Sequence, residues 1–343
     1  MQKTILKLAV FALLLLSTSC QNAAEGETAV SENNAELASN SLTGSLVFIE
    51  QTDRDQILLW HDLESSETQT LFQAPDNGWI AQAIAAPSGA QIVMAFAPPP
   101  PEGEIQFGYT NLYVIAPDGE SEPEPLVERD NPEEIFFNPI WSPDGRYIYY
   151  SHIIPDAASS TEFTFLLERI EFTTGSVEAI VENGVWPRLS PDGQKIAFAL
   201  LDTETQTRNL YLANADGTEA VLIVSAADFV DLDAPLFSPD GSWLYFSAVS
   251  QDQPATSWWD RLLGVQIVAA HNVPSDWWRI PIAGGEPERL TMINEIGMYG
   301  AFSPNGRIFA FSSTTGIYQM NPDGTELSKL LEIPAADSLS WVP

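Results

Sequence analysis

The sequence contains one cysteine, three histidines and only 14 lysines and arginines among its 343 residues. A single cysteine excludes a disulfide framework and a cysteine-rich zinc site. The 47 aspartates and glutamates bring the net charge to -33. This charge disfavours nucleic acid, whose phosphates are bound by lysine and arginine, and it disfavours anionic lipid headgroups as a docking surface. Because 45% of the residues are hydrophobic, the chain can nevertheless build a core.

Motifs that carry catalytic chemistry are also missing. The chain has no G-x-S-x-G, H-E-x-x-H, P-loop or G-x-G-x-x-G motif. His61, His152 and His271 are far apart in sequence and lack the i, i+4 spacing of a helical metal site. We therefore predict no catalytic and no metal-binding residue, and a non-enzyme is the favoured interpretation.

Three aspartates, Asp228, Asp231 and Asp233, form a group whose carboxylates could suit Ca²⁺. The glycine turn of a calcium loop does not accompany them. Turn capping and a solvated acidic surface are the simpler interpretation. We predict no cofactor, and Ca²⁺ is the alternative that the sequence leaves open.

The first 19 residues are typical of an export signal. Lys3 and Lys7 precede an apolar run over 8–16 that is too short to span a membrane comfortably. The residues before Cys20 resemble the bacterial lipobox, although Ser17 stands where an aliphatic residue is usual. This resemblance implies a lipoprotein-type signal peptide over 1–19, lipidation at Cys20, and an exported protein held at the membrane by its lipid, periplasmic or cell-surface. The alternative is an ordinary signal peptide and an unmodified thiol.

Residues 20–43 are small and polar, with four glutamates and no basic residue. Such a segment buries too little apolar area to offset the entropy lost on ordering. It is predicted to be an acidic flexible tether between the anchor and the folded part.

An internal repeat is the most informative feature of the chain. Its copies are WSPDGRYIYYS at 141–151, LSPDGQKIAFA at 189–199, FSPDGSWLYFS at 237–247 and FSPNGRIFAFS at 302–312, with a degenerate copy, AAPSGAQIVMA, at 85–95. Proline and glycine favour a tight turn, and the alternating residues that follow predict a half-buried strand. Each copy therefore predicts a β-hairpin.

A second hairpin phrase follows each copy, as in NLYLANADGTEAVLIV from Asn209. Two hairpins make a four-stranded propeller blade. Residues 44–75 provide three strands only, and the terminal SWVP at 340–343 begins a further copy. We predict an all-β fold over 44–343, a six-bladed β-propeller of four-stranded antiparallel blades whose first blade is closed by the C-terminal strand. An open β-sandwich does not explain why the chain begins one strand short and ends one strand into a further copy.

The Ser-Pro-Asp-Gly phrases, each followed by a strand and a second Asp-Gly turn, resemble the repeats of TolB-like propellers. The resemblance implies the six-bladed fold over about 300 residues, and it is weak for activity because the repeated residues shape turns. The family's namesake is a periplasmic partner-binding protein with an α/β domain before the propeller. Here the tether leads straight to the first strand, so a role in the Tol system is not carried over.

One face of the propeller carries the Ser-Pro-Asp-Gly turns, and the opposite face carries longer, irregular loops. We call the second one the elaborated face and predict that it binds the partner. Its largest loop is the insertion at 250–276, which is rich in tryptophan. An aromatic lid that grips a partner is one interpretation; the alternatives are that the insertion buries its own tryptophans or dips into the bilayer. The candidate partner-binding residues are Trp258, Trp259, Arg261, His271, Trp277 and Trp278.

These observations favour a lipid-anchored, non-catalytic propeller that binds a protein or peptide. The expected protein is a monomer that contacts the membrane through its N-terminal lipid and binds no nucleic acid. A carbohydrate-active or metal-assisted enzyme, or a sugar binder, using the channel mouth is the alternative. A sensor ectodomain or an assembly component is a third interpretation.

Overall fold

The segments that follow the repeated turns are strands, and together with the second hairpins they give 24 strands. The structure is a computed structural model that describes residues 42–52, 56–100, 109–155, 163–202, 207–251 and 274–343. The predicted signal peptide, Cys20 and the predicted tether up to Ser41 lie outside the described residues. Within these ranges, no helix has the length and apolar character needed to cross a bilayer.

The 24 strands form six antiparallel blades of four. From the innermost to the outermost strand, the first blade is β24 (Ala335–Val342), β1 (Ser45–Gln51), β2 (Gln56–Asp62) and β3 (Thr68–Gln73), and the second is β4 (Trp79–Ala85), β5 (Ile92–Ala97), β6 (Asn111–Ile115) and β7 (Glu124–Val127). The third blade is β8 (Ile135–Trp141), β9 (Tyr147–Pro155), β10 (Phe163–Glu171) and β11 (Val177–Glu182), and the fourth is β12 (Gly184–Leu189), β13 (Lys195–Asp202), β14 (Thr207–Asn214) and β15 (Val221–Val224). The fifth blade is β16 (Phe229–Phe237), β17 (Trp243–Ser250), β18 (Asp276–Pro281) and β19 (Glu288–Arg289), and the sixth is β20 (Tyr299–Phe302), β21 (Phe309–Ser313), β22 (Gly316–Met320) and β23 (Ser328–Leu331).

The C-terminal strand closes the first blade. In the antiparallel pair β1–β24, Ser45 faces Val342 and Leu46 faces Trp341. The Trp341 indole N–H also donates to the backbone carbonyl of Thr43 at 2.9 Å. The predicted six-bladed propeller and its closure are therefore confirmed, and the pairing removes the two strand edges that an open ring would expose.

The repeated turns have one hydrogen-bond pattern. In the turn that begins at Ser190, the serine hydroxyl donates to Asp192 Oδ1 at 2.6 Å and accepts the N–H of Lys195 at 2.9 Å. Gly193 has a φ of 69°, in the left-handed region that glycine adopts at least cost. The turn aspartates therefore serve backbone geometry, as the sequence predicts.

The inner strands bend where they pass the channel. In β12 the pairing with β13 shifts between Val185 and Arg188, so that Trp186 and Pro187 are left out of the ladder. Trp186 has a φ of 59°, which is unusual for a bulky residue. β16 shifts in the same way between Asp233 and Leu236. These bulges turn individual side chains and carbonyls away from the sheet.

The outer strands carry a bulge as well. Five of them have one residue that pairs with nothing in the neighbouring strand, and that residue is always leucine or isoleucine: Leu71, Leu126, Ile180, Ile223 and Leu330. All five belong to hydrophobic clusters or pack against them. The bulge therefore helps each blade to pack on its neighbour.

Candidate functional site

A cavity of about 400 Å³ opens at the centre of the turn face, the face that carries the Ser-Pro-Asp-Gly turns. We call it the axial mouth. All six blades contribute to it through the ends of their inner strands and the turns that follow. Its lining is Ile84–Pro87, Ile140, Trp141, Pro143, Arg188–Pro191, Leu236, Phe237, Pro239, Phe302, Ser303, Trp341 and Val342.

The wall of the axial mouth is held by contacts between successive turns. An ideal Cβ on Gly193 would lie 3.6 Å from the Pro143 ring of the preceding blade, and one on Gly241 would lie 4.0 Å from Pro191. The turns of the fourth, fifth and sixth blades therefore each stand beside the proline of the turn before, since Gly306 likewise lies next to Pro239. Because proline rings and fixed turns lose little conformational entropy on binding, the wall is a preformed surface, and most of its side chains are apolar.

The second blade, which carries the degenerate repeat copy, contributes the smallest side chains to the wall. The last inner-strand position before the turn is large and apolar in five blades, being Trp141, Leu189, Phe237, Phe302 and Trp341. In the second blade that position is Ala85, and Ala86 replaces the turn serine. The second blade therefore lacks the bulky side chain that the other five blades carry at this position.

Arg188 is the one charged residue among the residues that line the axial mouth. Its Nε donates to the carbonyl oxygen of Pro235 at 3.2 Å, and its guanidinium carbon lies 4.5 Å from the centroid of the Tyr299 ring. The bulge at Trp186 precedes Arg188 by two residues, and Pro235 lies in the matching bulge of β16. Three blades therefore hold this guanidinium in place.

No carboxylate of the described residues forms an ion pair with Arg188. By contrast, Arg208 pairs with Asp231 at 2.8 Å, and Arg289 pairs with the fully buried Asp276 at 2.6 Å. Arg188 is thus a partly buried guanidinium beside a cavity, with no ion pair to the acidic residues that the structure describes. A guanidinium in such a place suits a carboxylate.

Two of the predicted partner-binding residues lie within the described ranges. Trp277 is fully buried in β18, and its ring lies 4.8 Å from that of Phe309. It is a core residue and no surface for a partner, which corrects the prediction for this position. Trp278 is partly buried, and its ring packs edge-on against Phe229 at 5.0 Å. The predicted residues Trp258, Trp259, Arg261 and His271 lie outside the described residues and stay a prediction.

The aspartates considered for Ca²⁺ have other roles. Asp231 pairs with Arg208, and Asp233 is 3% exposed. Burial, together with the charge of Asp231, raises the pKa of the Asp233 carboxyl well above its usual value. Asp228 lies in a single 3₁₀ turn, Ala226–Asp228. In the described part of the chain, no three histidine, cysteine or acidic side chains are grouped in a way that could hold a metal ion.

The two described histidines are both engaged by neighbours. Burial lowers the pKa of the His61 imidazole, whose Nδ1 lies 2.7 Å from the hydroxyl of Thr68. His152 Nδ1 lies 3.1 Å from Glu168 Oε2, and its ring lies 4.2 Å from that of Phe136. Neither faces the axial mouth.

A second cavity, of about 580 Å³, lies on the rim between the first and second blades. We call it the rim groove. The rings of Phe72, Phe96 and Tyr113 follow one another with centroids 5.4 Å apart, and Glu120 and Glu122 stand at its edge. It is a further surface that a partner could contact.

Sequence reasoning missed the axial mouth because it favoured the elaborated face. The long loops of that face lie largely outside the described residues, so the expectation for that face stays a prediction. A signal for Arg188 was present in the repeats. The residue two positions before the repeated serine is Ile140 in the third blade, Leu236 in the fifth and Ala301 in the sixth, but arginine in the fourth.

No protein-family profile matches the chain. Over 106 residues it is 36% identical to the Tol-Pal system protein TolB of Francisella tularensis subsp. tularensis, a match that covers 30% of this chain and 22% of that protein. The chain therefore aligns with less than a quarter of the relative's length.

The fold is shared more widely than the sequence. The crystal structure of TolB from Acinetobacter baumannii superposes with a TM-score of 0.63 at 15% identity, covering 92% of this chain and 71% of that one. A chain assigned as TolB in Agrobacterium tumefaciens gives 0.58 at 17% identity, covering 89% of this chain and all of that one. Tricorn protease gives 0.55 at 11% identity, covering 84% of this chain and 30% of its own. The resemblance to TolB-like propellers is confirmed: the chain has the six-bladed fold of TolB, and part of it is similar to TolB in sequence.

Proposed function

We propose that this protein binds a protein or peptide partner through the axial mouth. The observation that carries the proposal is the mouth itself, a preformed cavity to which all six blades contribute and whose lining side chains are mostly apolar. Its volume of about 400 Å³ suits a few side chains of a partner and falls in the range of ligand pockets. Rigid apolar walls favour binding because little order has to be gained.

The turn side chains around the mouth support a scaffold role. Ser190 bonds Asp192, and Ser238 bonds Asp240, so these hydroxyls and carboxylates hold the turns in place. The TolB relative is named as a component of the Tol-Pal system, and its fold is shared. That relationship supports a protein as the partner.

We further propose that the protein is exported and anchored by a lipid on Cys20, as a monomer in the periplasm or at the cell surface. The support is the residue pattern of 1–20 and the export that a Tol-Pal relative implies. Metabolic labelling with a palmitate analogue should mark the wild-type protein and leave Cys20→Ser unlabelled. Equal labelling of both would contradict the anchor.

Site-specific photo-crosslinking in the native host tests the partner site. A benzoylphenylalanine is placed at Phe302 or Leu236 in the mouth, at Glu122 in the rim groove, and at Glu332 on the outer rim, whose side chain is 85% exposed. We expect one adduct of the same mass from both mouth positions and none from Glu332. An adduct from Glu122 alone would overturn the proposal in favour of the rim groove.

A mouth-filling variant makes the result specific. Ala85→Trp restores the large residue that five other blades carry and should abolish the mouth adduct. Ala86→Ser restores the turn serine without filling the cavity and serves as the matched control. Loss of the adduct in both variants, or in neither, would contradict binding in the mouth.

A further inference from the structure

We infer that the axial mouth selects a partner segment that places an aspartate or glutamate side chain, flanked by apolar residues, against the guanidinium of Arg188. This inference rests on the proposed function and names the chemistry of the partner. It rests on the position of Arg188, which lines the cavity and has no acidic partner among the described residues.

The guanidinium of Arg188 is partly engaged by neighbouring groups. Nε is used by the Pro235 carbonyl, and the ring of Tyr299 covers one face of the group. The guanidinium also hydrogen-bonds the side chain of Tyr299. Because arginine has five N–H donors, donors remain for a ligand where Arg188 lines the mouth. Partial burial removes part of the water that would solvate these groups, and a carboxylate replaces that water with charge-assisted hydrogen bonds.

The side chain of Arg188 is held in a fixed position. An arginine side chain normally loses considerable conformational entropy when it is held by a ligand. Here the Pro235 carbonyl, the Tyr299 ring and the bend at Trp186 hold it before any ligand arrives. Preorganisation of this kind increases affinity without any new contact.

The mouth suits the carboxylate of a side chain better than the carboxylate of a chain terminus. Chain-terminal carboxylates are captured by nests of free backbone N–H groups. At the mouth, the turn N–H groups are already engaged, as Gly193 N with Ser190 O at 2.8 Å and Gln194 N with Asp192 Oδ1 at 3.0 Å. The mouth therefore offers one planar fork in an apolar wall, which matches an acidic side chain between apolar neighbours.

Charge complementarity also explains why the site needs a fixed arginine. The chain as a whole repels acidic partners because its net charge is -33. An acidic residue is accepted only where Arg188 can reach it. The arginine thus supplies register, since a segment shifted by a residue would place its carboxylate against the apolar wall at an energetic cost.

The probe for the test is a random seven-residue peptide library displayed on phage, panned on the immobilised protein. Ala85→Trp is used for counter-selection, so that only mouth-dependent peptides are kept. We expect enriched sequences with an acidic residue at one position and apolar or aromatic residues beside it. Enriched peptides are then synthesised with an amidated C-terminus, so that binding measured by fluorescence anisotropy depends on the side chain.

Two changes test the contact between Arg188 and the acidic side chain of the peptide. Converting the acidic residue of the peptide to its amide, or making Arg188→Met, should each weaken binding at least about tenfold, and combining them should add little. Arg307→Met is the control, because it removes the same charge from an exposed turn on the same face. Arg188→Lys should recover only part of the affinity, since lysine lacks the planar fork.

The outcomes separate this inference from the proposed function. If mouth-dependent peptides are enriched but bind the Arg188→Met variant and the wild type equally, the proposed function stands and the inference falls. If Arg307→Met weakens binding as much as Arg188→Met, long-range charge is responsible and the inference also falls. If no peptide depends on the mouth, the proposed function fails, and the inference fails with it.

Discussion

The hydroxyl of Ser340 accepts a hydrogen bond from the backbone N–H of Ala85 at 3.0 Å. Two residues earlier, the hydroxyl of Ser338 accepts one from the N–H of Ala83 at 3.1 Å. The last strand therefore pairs with β1 inside its own blade and is bonded to β4 of the next blade. These side-chain bonds tie residues that are 255 positions apart in the chain.

Deleting 336–343 should open the ring. The truncated chain loses the pairing of β24 with β1 and leaves an unpaired edge next to a hydrophobic cluster. We expect aggregation and loss of the main calorimetric transition, measured by light scattering and differential scanning calorimetry. Ser340→Ala, which removes only one bond, should cost about 1 kcal/mol and keep the transition cooperative. A soluble truncation with an unchanged melting temperature would contradict the closure.

Gly241→Val should lower the free energy of unfolding by about 1–3 kcal/mol. The φ of Gly241 is 70°, and the nearest atom to an added Cβ is a proline carbon at 4.0 Å, so the cost comes from the backbone conformation. Gly241→Asn is the control, because asparagine tolerates this region better. Urea denaturation measures both, and equal midpoints for valine and asparagine would show that φ is not the cause.

Asp276→Asn should destabilise the fifth blade by about 3 kcal/mol. The Asp276 carboxylate is fully buried, where it pairs with Arg289 at 2.6 Å and accepts the N–H of Ile293 at 2.8 Å. Removing its charge leaves the buried end of the guanidinium uncompensated. Glu288→Gln, at a half-exposed ion pair with Arg279, should change stability by less than about 1 kcal/mol. Similar urea midpoints for the two variants would contradict this difference.

Asp337 should make the protein less stable as the pH rises from about 4 to 7. Burial raises the pKa of its carboxyl to about 7, and its Oδ1 has no hydrogen-bond partner among the described residues. Over that range the unfolded chain has lost the proton and the folded chain still binds it, so stability falls until the folded group also ionises.

Asp337→Asn should remove the share of that slope that Asp337 contributes and raise stability at pH 8 by up to about 4 kcal/mol. The nearby Asp233, whose pKa is raised well above its usual value, keeps its own pH dependence in both proteins. Glu286→Gln, in an exposed turn, is the control and should leave the slope unchanged. Thermal melts between pH 4 and 8 provide the measurement, and parallel curves for wild type and Asp337→Asn would refute the assignment.

The fold was predictable because its determinants are local and repeated. The turn at Ser190 needs only a serine, a proline, an aspartate and a glycine within four residues, and each copy specifies the same hairpin. Ring closure followed from counting strands. None of these steps needed the position of a distant residue.

The candidate site was less predictable because it depends on residues from several blades. Arg188 is held by Pro235 and Tyr299, which are 47 and 111 positions later in the chain, and by a bulge that alternation does not reveal. Trp277 and Trp278 were treated alike because they are adjacent in a tryptophan-rich stretch. Neighbouring strand residues point to opposite sides, so only packing shows that Trp277 belongs to the core.

The pairing of Ala335–Val342 with Ser45–Gln51 has a consequence for how the protein matures. While a nascent or translocating chain still lacks those final residues, the first blade remains one strand short. The ring can therefore close only after the segment Ala335–Val342 has been released. Proteolytic resistance should accordingly be acquired late and in one step, when the two distant segments meet.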